Sequence, residues 1–249
     1  MIEVKHLYKS YEGNYVINDV SARFEQGKCN LIIGRSGSGK TVLLKSVAGL
    51  IEVDDGEIWY GDQKFSHLDV AARQLIRKDM GVLFQGAALF DSLTVEENVL
   101  FPLDMLTQQN RLEKLERANF CLERVQVTGS NQLYPAELSG GMKKRVAIAR
   151  AIALNPKYLL CDEPNSGLDP ETAIVIDNLI KELTEEFQMT TLVNSHDMNS
   201  VLEIGDRVFF IYQGCLCWEG TRKEVLQTDN EALNNFVFAT NMAKQIKRS

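Results

Sequence analysis

Two short glycine-rich stretches constrain this chain more than any other part of its 249 residues. The first is Gly34-Arg35-Ser36-Gly37-Ser38-Gly39-Lys40-Thr41; the second, about a hundred residues downstream, is Leu138-Ser139-Gly140-Gly141. Glycines in the first let consecutive backbone amides close on an anion, which implies a phosphate site. Its flanks agree. Cys29-Asn30-Leu31-Ile32-Ile33 is a short, mostly apolar run suited to a buried parallel strand, and Thr41-Val42-Leu43-Leu44 opens a helix that runs through Ala48. A loop between strand and helix turns the amides of residues 37–41 and the positive helix end toward a β-phosphate. Lys40 then reaches the β and γ oxygens and the Thr41 hydroxyl reaches Mg²⁺.

Tyr158-Leu159-Leu160-Cys161-Asp162-Glu163 is an apolar strand ending in two carboxylates, and strand alternation sends their side chains to opposite faces. Asp162 is the candidate for the Mg²⁺ shell and Glu163 for the base that orients or deprotonates an attacking water. Alone, such a pair could merely end a strand; downstream of the phosphate loop it reads as chemistry. Thr191 to Ser195 is a further strand-like run that delivers His196 to the carboxyl edge of the sheet, where open α/β sheets bind ligands. Ser139 and the glycines after it precede strong helix formers from Met142 to Arg150, so they lie at a helix N-terminus that attracts phosphate.

With these residues in order, the chain resembles the ATPase subunits of ABC (ATP-binding cassette) systems over nearly its whole length. The resemblance implies an α/β fold: a P-loop NTPase (RecA-like) core, an antiparallel β subdomain and an inserted helical subdomain. It implies one domain over residues 1–220, with the insert at about 86–150, and a helical tail over 221–249. Tyr11 then resembles the aromatic that stacks on adenine, Gln85 the Q-loop glutamine that joins the metal shell, Ser166-Gly167-Leu168-Asp169 the D-loop, and His196 the switch histidine near the γ-phosphate. Glu163, His196 and Gln85 are the implied catalytic set. ATP contacts fall on Tyr11, residues Gly34 to Val42 (including Arg35 and Ser36), Ser139, Gly140, Gly141 and Asp169; Thr41, Gln85 and Asp162 fall to Mg²⁺. In the family Ser139 and its glycines meet the γ-phosphate held by a second copy, so a head-to-tail dimer sandwiches two ATPs. The sequence departs from the commonest pattern at Met142, where glutamine is usual, and at Asn165, where threonine is usual.

Other readings stay open. Tyr11 also fits an ordinary strand aromatic, and Asp169-Pro170 fits a helix N-cap with proline at the first helical position, opening a helix with Ile174, Ile176, Leu179, Ile180 and Leu183. His6 and His67 are expected on the surface or in loops. The balance of 27 basic to 34 acidic residues, net charge -7, argues against general nucleic-acid binding. No run approaches the roughly twenty apolar residues a bilayer span needs, so the expectation is a chain held at the cytoplasmic face of the inner membrane through a partner. The five cysteines lack metal spacing and are read as packing residues, Cys215 and Cys217 included.

Residues up to about 26, the Asp54-Asp55-Gly56-Glu57 turn and an Ile58-Trp59-Tyr60 strand are expected in the antiparallel layer. Thr94 and Glu97 form a capping box for a helix over Val95 to Val99, and Leu112, Leu115, Leu122 and Val125 mark an amphipathic helix. Leu233, Phe236, Val237, Thr240 and Ala243 form a stripe in the tail that docks on its own subunit or on the partner, followed by Lys244, Lys247 and Arg248. In the family, the stretch after Gln85 forms a groove for a coupling helix of a transmembrane permease. Gly86-Ala87-Ala88-Leu89-Phe90 and Phe101-Pro102-Leu103 resemble the Mla-type ATPases, which move phospholipids with an MCE-domain protein across the Gram-negative envelope, sometimes with a small regulatory subunit. Polar amino acid import, lipoprotein release, and a non-transport regulator or scaffold are the alternatives.

Overall fold

The computed structural model describes residues 1–238, the side chain of His67 excepted. Strands β1 (Ile2–Tyr11), β2 (Asn14–Phe24) and β3 (Lys28–Ile33) lead to helix α1 (Lys40–Val47). β4 (Asp55–Tyr60), β5 (Gln63–Lys64), α2 (Val70–Lys78) and β6 (Met80–Leu83) follow. Three helices come next, α3 (Val95–Leu106), α4 (Arg111–Arg124) and α5 (Gly140–Ile152), before the chain returns through β7 (Tyr158–Asp162). It continues as α6 (Pro170–Glu186), β8 (Thr190–Ser195), α7 (Met198–Ile204), β9 (Arg207–Tyr212), β10 (Cys215–Gly220), α8 (Arg222–Val225) and α9 (Glu231–Val237).

Two sheets form. One is antiparallel, in the order β2-β1-β4-β5; the other runs β10-β9-β3-β8-β7-β6, parallel except for β10. Alternation along the parallel strands splits the core in two. Leu31, Ile33, Leu159, Cys161, Val193 and Phe210 face the helices α3 to α6, whereas Ile32, Leu160, Leu192 and Phe209 face α1 and the antiparallel sheet. A sheet buried on both faces explains why β3, β7 and β8 read as apolar runs rather than alternating ones. Asn30, inside β3, is fully buried, and its amide donates to the carbonyls of Glu25, Lys28 and Thr191.

Several expected boundaries shift. Asp55 to Glu57 belong to β4 rather than to a turn, because Glu57 pairs with Lys5 of β1. The Thr94–Glu97 capping box is present, but α3 continues past Val99 to Leu106 with Pro102 inside it. Val95, Val99 and Leu103 bury one face, which holds the helix together across the donor that proline lacks. In α4 the buried stripe is Ala118, Cys121 and Leu122 with Val125 beyond; Leu112, in the first turn, is 66 % exposed. Ile174 of α6 is exposed as well, while Ile176, Leu179, Ile180 and Leu183 are buried. Cys29, Cys121 and Cys161 pack as expected, and Cys215 is half-buried; Cys217 is exposed, because a register shift between Leu216 and Trp218 interrupts the alternation of this edge strand. His6 is exposed and meets Asp19 at 2.8 Å. In the tail, Leu233 and Val237 are buried in the chain's own core, and the Phe236 ring lies 5.6 Å from that of Phe210. Thr240, Ala243, Lys244, Lys247 and Arg248 lie outside the described residues.

Candidate active site

Four neighbouring parallel strands, β3, β8, β7 and β6, end side by side, and the segment after each carries a candidate residue. After β3 the glycine-rich loop turns into α1 with Gly39 at its N-cap. Gly39 has φ +106°, and a Cβ there would lie 2.5 Å from the Val16 carbonyl oxygen; at Gly34, φ +154°, a Cβ would lie 2.3 Å from the Ile211 carbonyl oxygen. Glycine is the residue that fits both the torsion and the space. Lys40 is buried, its Nζ donates to the carbonyls of Gly34 and Arg35 at 2.9 and 3.1 Å, and burial lowers its pKa. Tyr11 ends β1 at the tip of the β1–β2 hairpin, whose Val16 touches the loop; its ring is half exposed with Lys9 Nζ 5.3 Å from its centre.

The carboxylates of the β7 end occupy two separate networks. Thr41 Oγ1 donates to Asp162 Oδ1 at 3.0 Å, and Asn194 Nδ2 of β8 donates to the same oxygen at 2.9 Å. Glu163 sits apart: Gln85 Nε2 donates to its Oε2 at 3.2 Å, and His196 Nδ1 lies 3.3 Å from its Oε1. Gln85 Nε2 also donates to Ser166 Oγ at 3.0 Å. The separation does not come from strand alternation, since β7 ends at Asp162 and Glu163 takes φ +47°. A left-handed glutamate is strained backbone, held here by its amide donating to the Asn194 carbonyl at 3.1 Å.

The second glycine motif lies elsewhere. Ser139 caps α5, its Oγ accepting from the Met142 amide at 3.3 Å. With Gly140 and Gly141 it opens on a cavity of about 580 Å³ shared with Gln126, Arg145, Leu168, Asp169 and Thr172, and no residue of the phosphate loop lines it. Asp169 caps α6 through the amide and hydroxyl of Thr172, at 2.9 and 2.6 Å; the Thr172 hydroxyl and amide bonds hold its carboxyl below the usual range.

Several participants escaped the sequence reading. Lys144 is buried on α5, and its Nζ donates to the Gln85 carbonyl; burial lowers its pKa. The sequence reading took Met142 to Arg150 only as a run of helix formers, yet Lys144 shares a helical stripe with Ile148 and Ala151, and that 3.6-residue spacing was the available signal. Asn194 was hidden inside an apolar strand. Arg150 donates to the carbonyls of Ala88 and Ala87 at 2.8 and 2.9 Å, and both alanines have left-handed torsions, φ 50° and 62°.

The residues fit a magnesium nucleotide. Thr41 and Asp162 offer hard oxygen donors side by side, as Mg²⁺ prefers, and among the described residues no cluster of three or more His, Cys, Asp or Glu makes a protein-only cage. The buried Ser38 hydroxyl has no partner within the loop's own network.

The chain belongs to the ABC transporter family: the family model described as ABC transporter matches residues 17–166. It is 36 % identical over 95 % of its length to the methionine import ATP-binding protein MetN of Campylobacter jejuni, of which it covers 75 %. It is 37 % identical, again over 95 % of its length, to the intermembrane phospholipid transport system ATP-binding protein MlaF of Haemophilus influenzae, of which it covers 90 %. Among solved structures it superposes on the dimeric post-hydrolysis state of the ATP-binding cassette MJ0796 bound to ADP and Pi with TM-score 0.82, at 33 % identity, covering 89 % of this chain and 99 % of that one. The protein is thus an ATP-binding, ATP-hydrolysing subunit of an ABC transporter.

Proposed function

We propose that this ATPase drives phospholipid transport between the membranes of a Gram-negative envelope. It acts as a head-to-tail homodimer on the cytoplasmic face of the inner membrane, seated under a transmembrane permease. Lys40 and the loop amides hold the phosphates, and Thr41 and Asp162 hold Mg²⁺, with Gln85, whose amide nitrogen is engaged by Glu163 and Ser166, as the further ligand the family resemblance implies. Bound there, Mg²⁺ supplies positive charge to the β and γ oxygens. Glu163 takes a proton from the attacking water, a role its contacts with Gln85 and His196 prepare. Ser139, Gly140 and Gly141 serve the nucleotide of the second copy, which accords with their distance from their own phosphate loop. Tyr11 stacks on the base.

The observation that carries the transport reading is a groove of about 340 Å³ between the Q-loop and α3. Phe84, Ala88, Phe90, Phe101, Pro102 and Leu106 line it, the Phe90 and Phe101 rings lie 4.6 Å apart, and both are partly exposed. An apolar cleft with an aromatic pair suits an amphipathic coupling helix. The lipid assignment rests on this stretch's likeness to Mla-type ATPases and on the likeness to MlaF over most of both chains. An MCE-domain protein and a small regulatory subunit are the further partners this implies; nucleic acid is not among them. The similar identity to MetN favours a second reading, amino acid import by the same engine.

The test is purification of the chain from gently solubilised membranes of its host, with mass spectrometry of what accompanies it. A permease together with an MCE-domain protein is the expected result. A different permease overturns the lipid assignment, and soluble partners alone overturn transport in favour of a scaffold.

A further inference from the structure

Behind Glu163 lies a polar cluster that the hydrolytic chemistry does not use directly. Asp177 of α6 is buried, 2 % exposed, and faces Ser200 of α7 and Asn165 of the loop after Glu163. Asn165 Nδ2 donates to Ser200 Oγ at 3.1 Å. Asp177 Oδ1 and Asn165 Oδ1 are both buried and neither receives a hydrogen bond. Asn165 and Asp177 line a cavity of about 410 Å³ that Glu163, Ser166 and His196 also line. Three segments therefore meet in this cluster: the loop after Glu163, the helix capped by Asp169, and the helix that follows His196.

We infer that Asp177 is a positioning residue for hydrolysis, which through Ser200 and Asn165 fixes the His196-bearing segment against the loop that carries Glu163. The inference rests on Glu163 and His196 forming the hydrolytic pair. Two buried acceptors without a donor are costly, and a single proton on the Asp177 carboxyl supplies the missing donor. The surroundings favour that proton. Burial pushes Asp177 up to about 6, with Asp197 and Glu203 at the two ends of α7 adding to the rise while Ser200 and Asn165 oppose it. The Cys161 thiol of β7 also feels Asp177, and the charged or titratable groups on the cavity wall are Glu163, His196 and Asp197. The cluster therefore loses that proton as pH rises through about 6, which leaves Asp177 Oδ1 and Asn165 Oδ1 the buried acceptors they are here.

The sign follows from linkage. The folded chain binds this proton more tightly than the unfolded one, whose aspartates titrate near 4, so stability falls as pH rises from about 4 to about 6 and then levels. Asp177→Asn keeps the shape and carries a permanent donor. The experiment compares wild type, Asp177→Asn and Ser200→Ala for kcat, KM for ATP and melting temperature between pH 5 and 8.5.

The ratio of kcat for Asp177→Asn to that of wild type is expected near one at pH 5, rising about two- to thirtyfold by pH 7.5, the range of coupling energies in such networks. Comparing the two profiles cancels every titrating group they share. Ser200→Ala, which removes one oxygen and no carbon, is expected to lower kcat about two- to thirtyfold with KM unchanged, beyond any change in melting temperature. A flat ratio across pH, an effect confined to KM, or a wild-type kcat in Ser200→Ala overturns the inference, as does a kcat loss that merely tracks the melting temperature. Glu163→Gln is assayed in parallel. Normal turnover in that variant overturns the reading of the hydrolytic pair, whereas the pH dependence of melting reports on the Asp177 cluster independently.

Discussion

The two glycine motifs end in opposite conditions. At the phosphate loop the charged and metal-facing side chains have partners in their own chain, Ser38 Oγ being the exception: Lys40 on the Gly34 and Arg35 carbonyls, Thr41 and Asn194 on Asp162, Gln85 and His196 on Glu163. At Ser139 the only side-chain bond among the described residues returns to the first turn of its own helix, and the glycines face a cavity of about 580 Å³. The first end is a site assembled by one chain. The second, on the function proposed above, serves a nucleotide that a second copy supplies. Binding energy gained at such a surface is realised only when the missing group arrives, which is how ATP can favour a closed state over an open one.

The largest effect is expected at the assembled end. Glu163→Gln should lower kcat by about 10²–10⁴, the usual contribution of a positioned base, while ATP binding persists; single-turnover hydrolysis beside an ATP-binding titration reads both. Turnover near wild type would remove Glu163 from the chemistry and leave its left-handed backbone without a catalytic explanation. Lys40→Ala comes next. A charged hydrogen bond contributes about 1.5–3 kcal/mol, so ATP affinity should fall about ten- to hundredfold in the isolated chain. An unchanged affinity would mean that the loop amides hold the phosphates alone.

The same contrast marks what the sequence made legible. Residues whose spacing is fixed by backbone geometry were readable: the loop between β3 and α1, the capping residues Thr94 and Asp169, the strand ends that present Asp162 and His196. Glu163 was readable as a residue but not in its geometry, since its separation from Asp162 comes from a left-handed torsion that strand periodicity does not encode. Lys144 and Asn194 were missed because helical spacing marks Lys144 as buried but not what it bonds, and an amide within an apolar strand carries no pattern; both acquire their roles from partners distant in sequence, Gln85 and Asp162. Cys217 and Leu112 failed for the converse reason. Their patterns promised burial, but a register shift at a sheet edge and the first turn of a helix leave side chains with nothing to pack against.

Ser139→Ala sharpens the comparison at the open end. Losing the α5 cap should cost about 1 kcal/mol of stability, visible as a small drop in melting temperature. ATP affinity of the isolated chain should be unchanged, because no phosphate-loop residue lines the cavity at Ser139, while ATP-dependent dimer formation by the Glu163→Gln form should be lost in size-exclusion chromatography. A parallel loss of monomer ATP affinity would erase the distinction between the two ends.

The smallest effect is expected one residue beyond the glycines. Met142 contributes its backbone amide to the Ser139 hydroxyl, and its half-buried side chain packs against the helical core. Glutamine has a similar length and helix propensity, and the amide bond to Ser139 does not depend on the side chain. Met142→Gln should therefore cost at most about 1–3 kcal/mol, the figure for an amide with no partner, and leave turnover close to wild type. Met142 also lines the cavity beside Ser139, so the substitution makes one wall of it more polar while the serine hydroxyl and the glycine amides stay in place. A large loss of turnover with an unchanged melting temperature would mean that the side chain at this position reaches into the shared site, and the open end would then be tuned by more than serine and glycine amides.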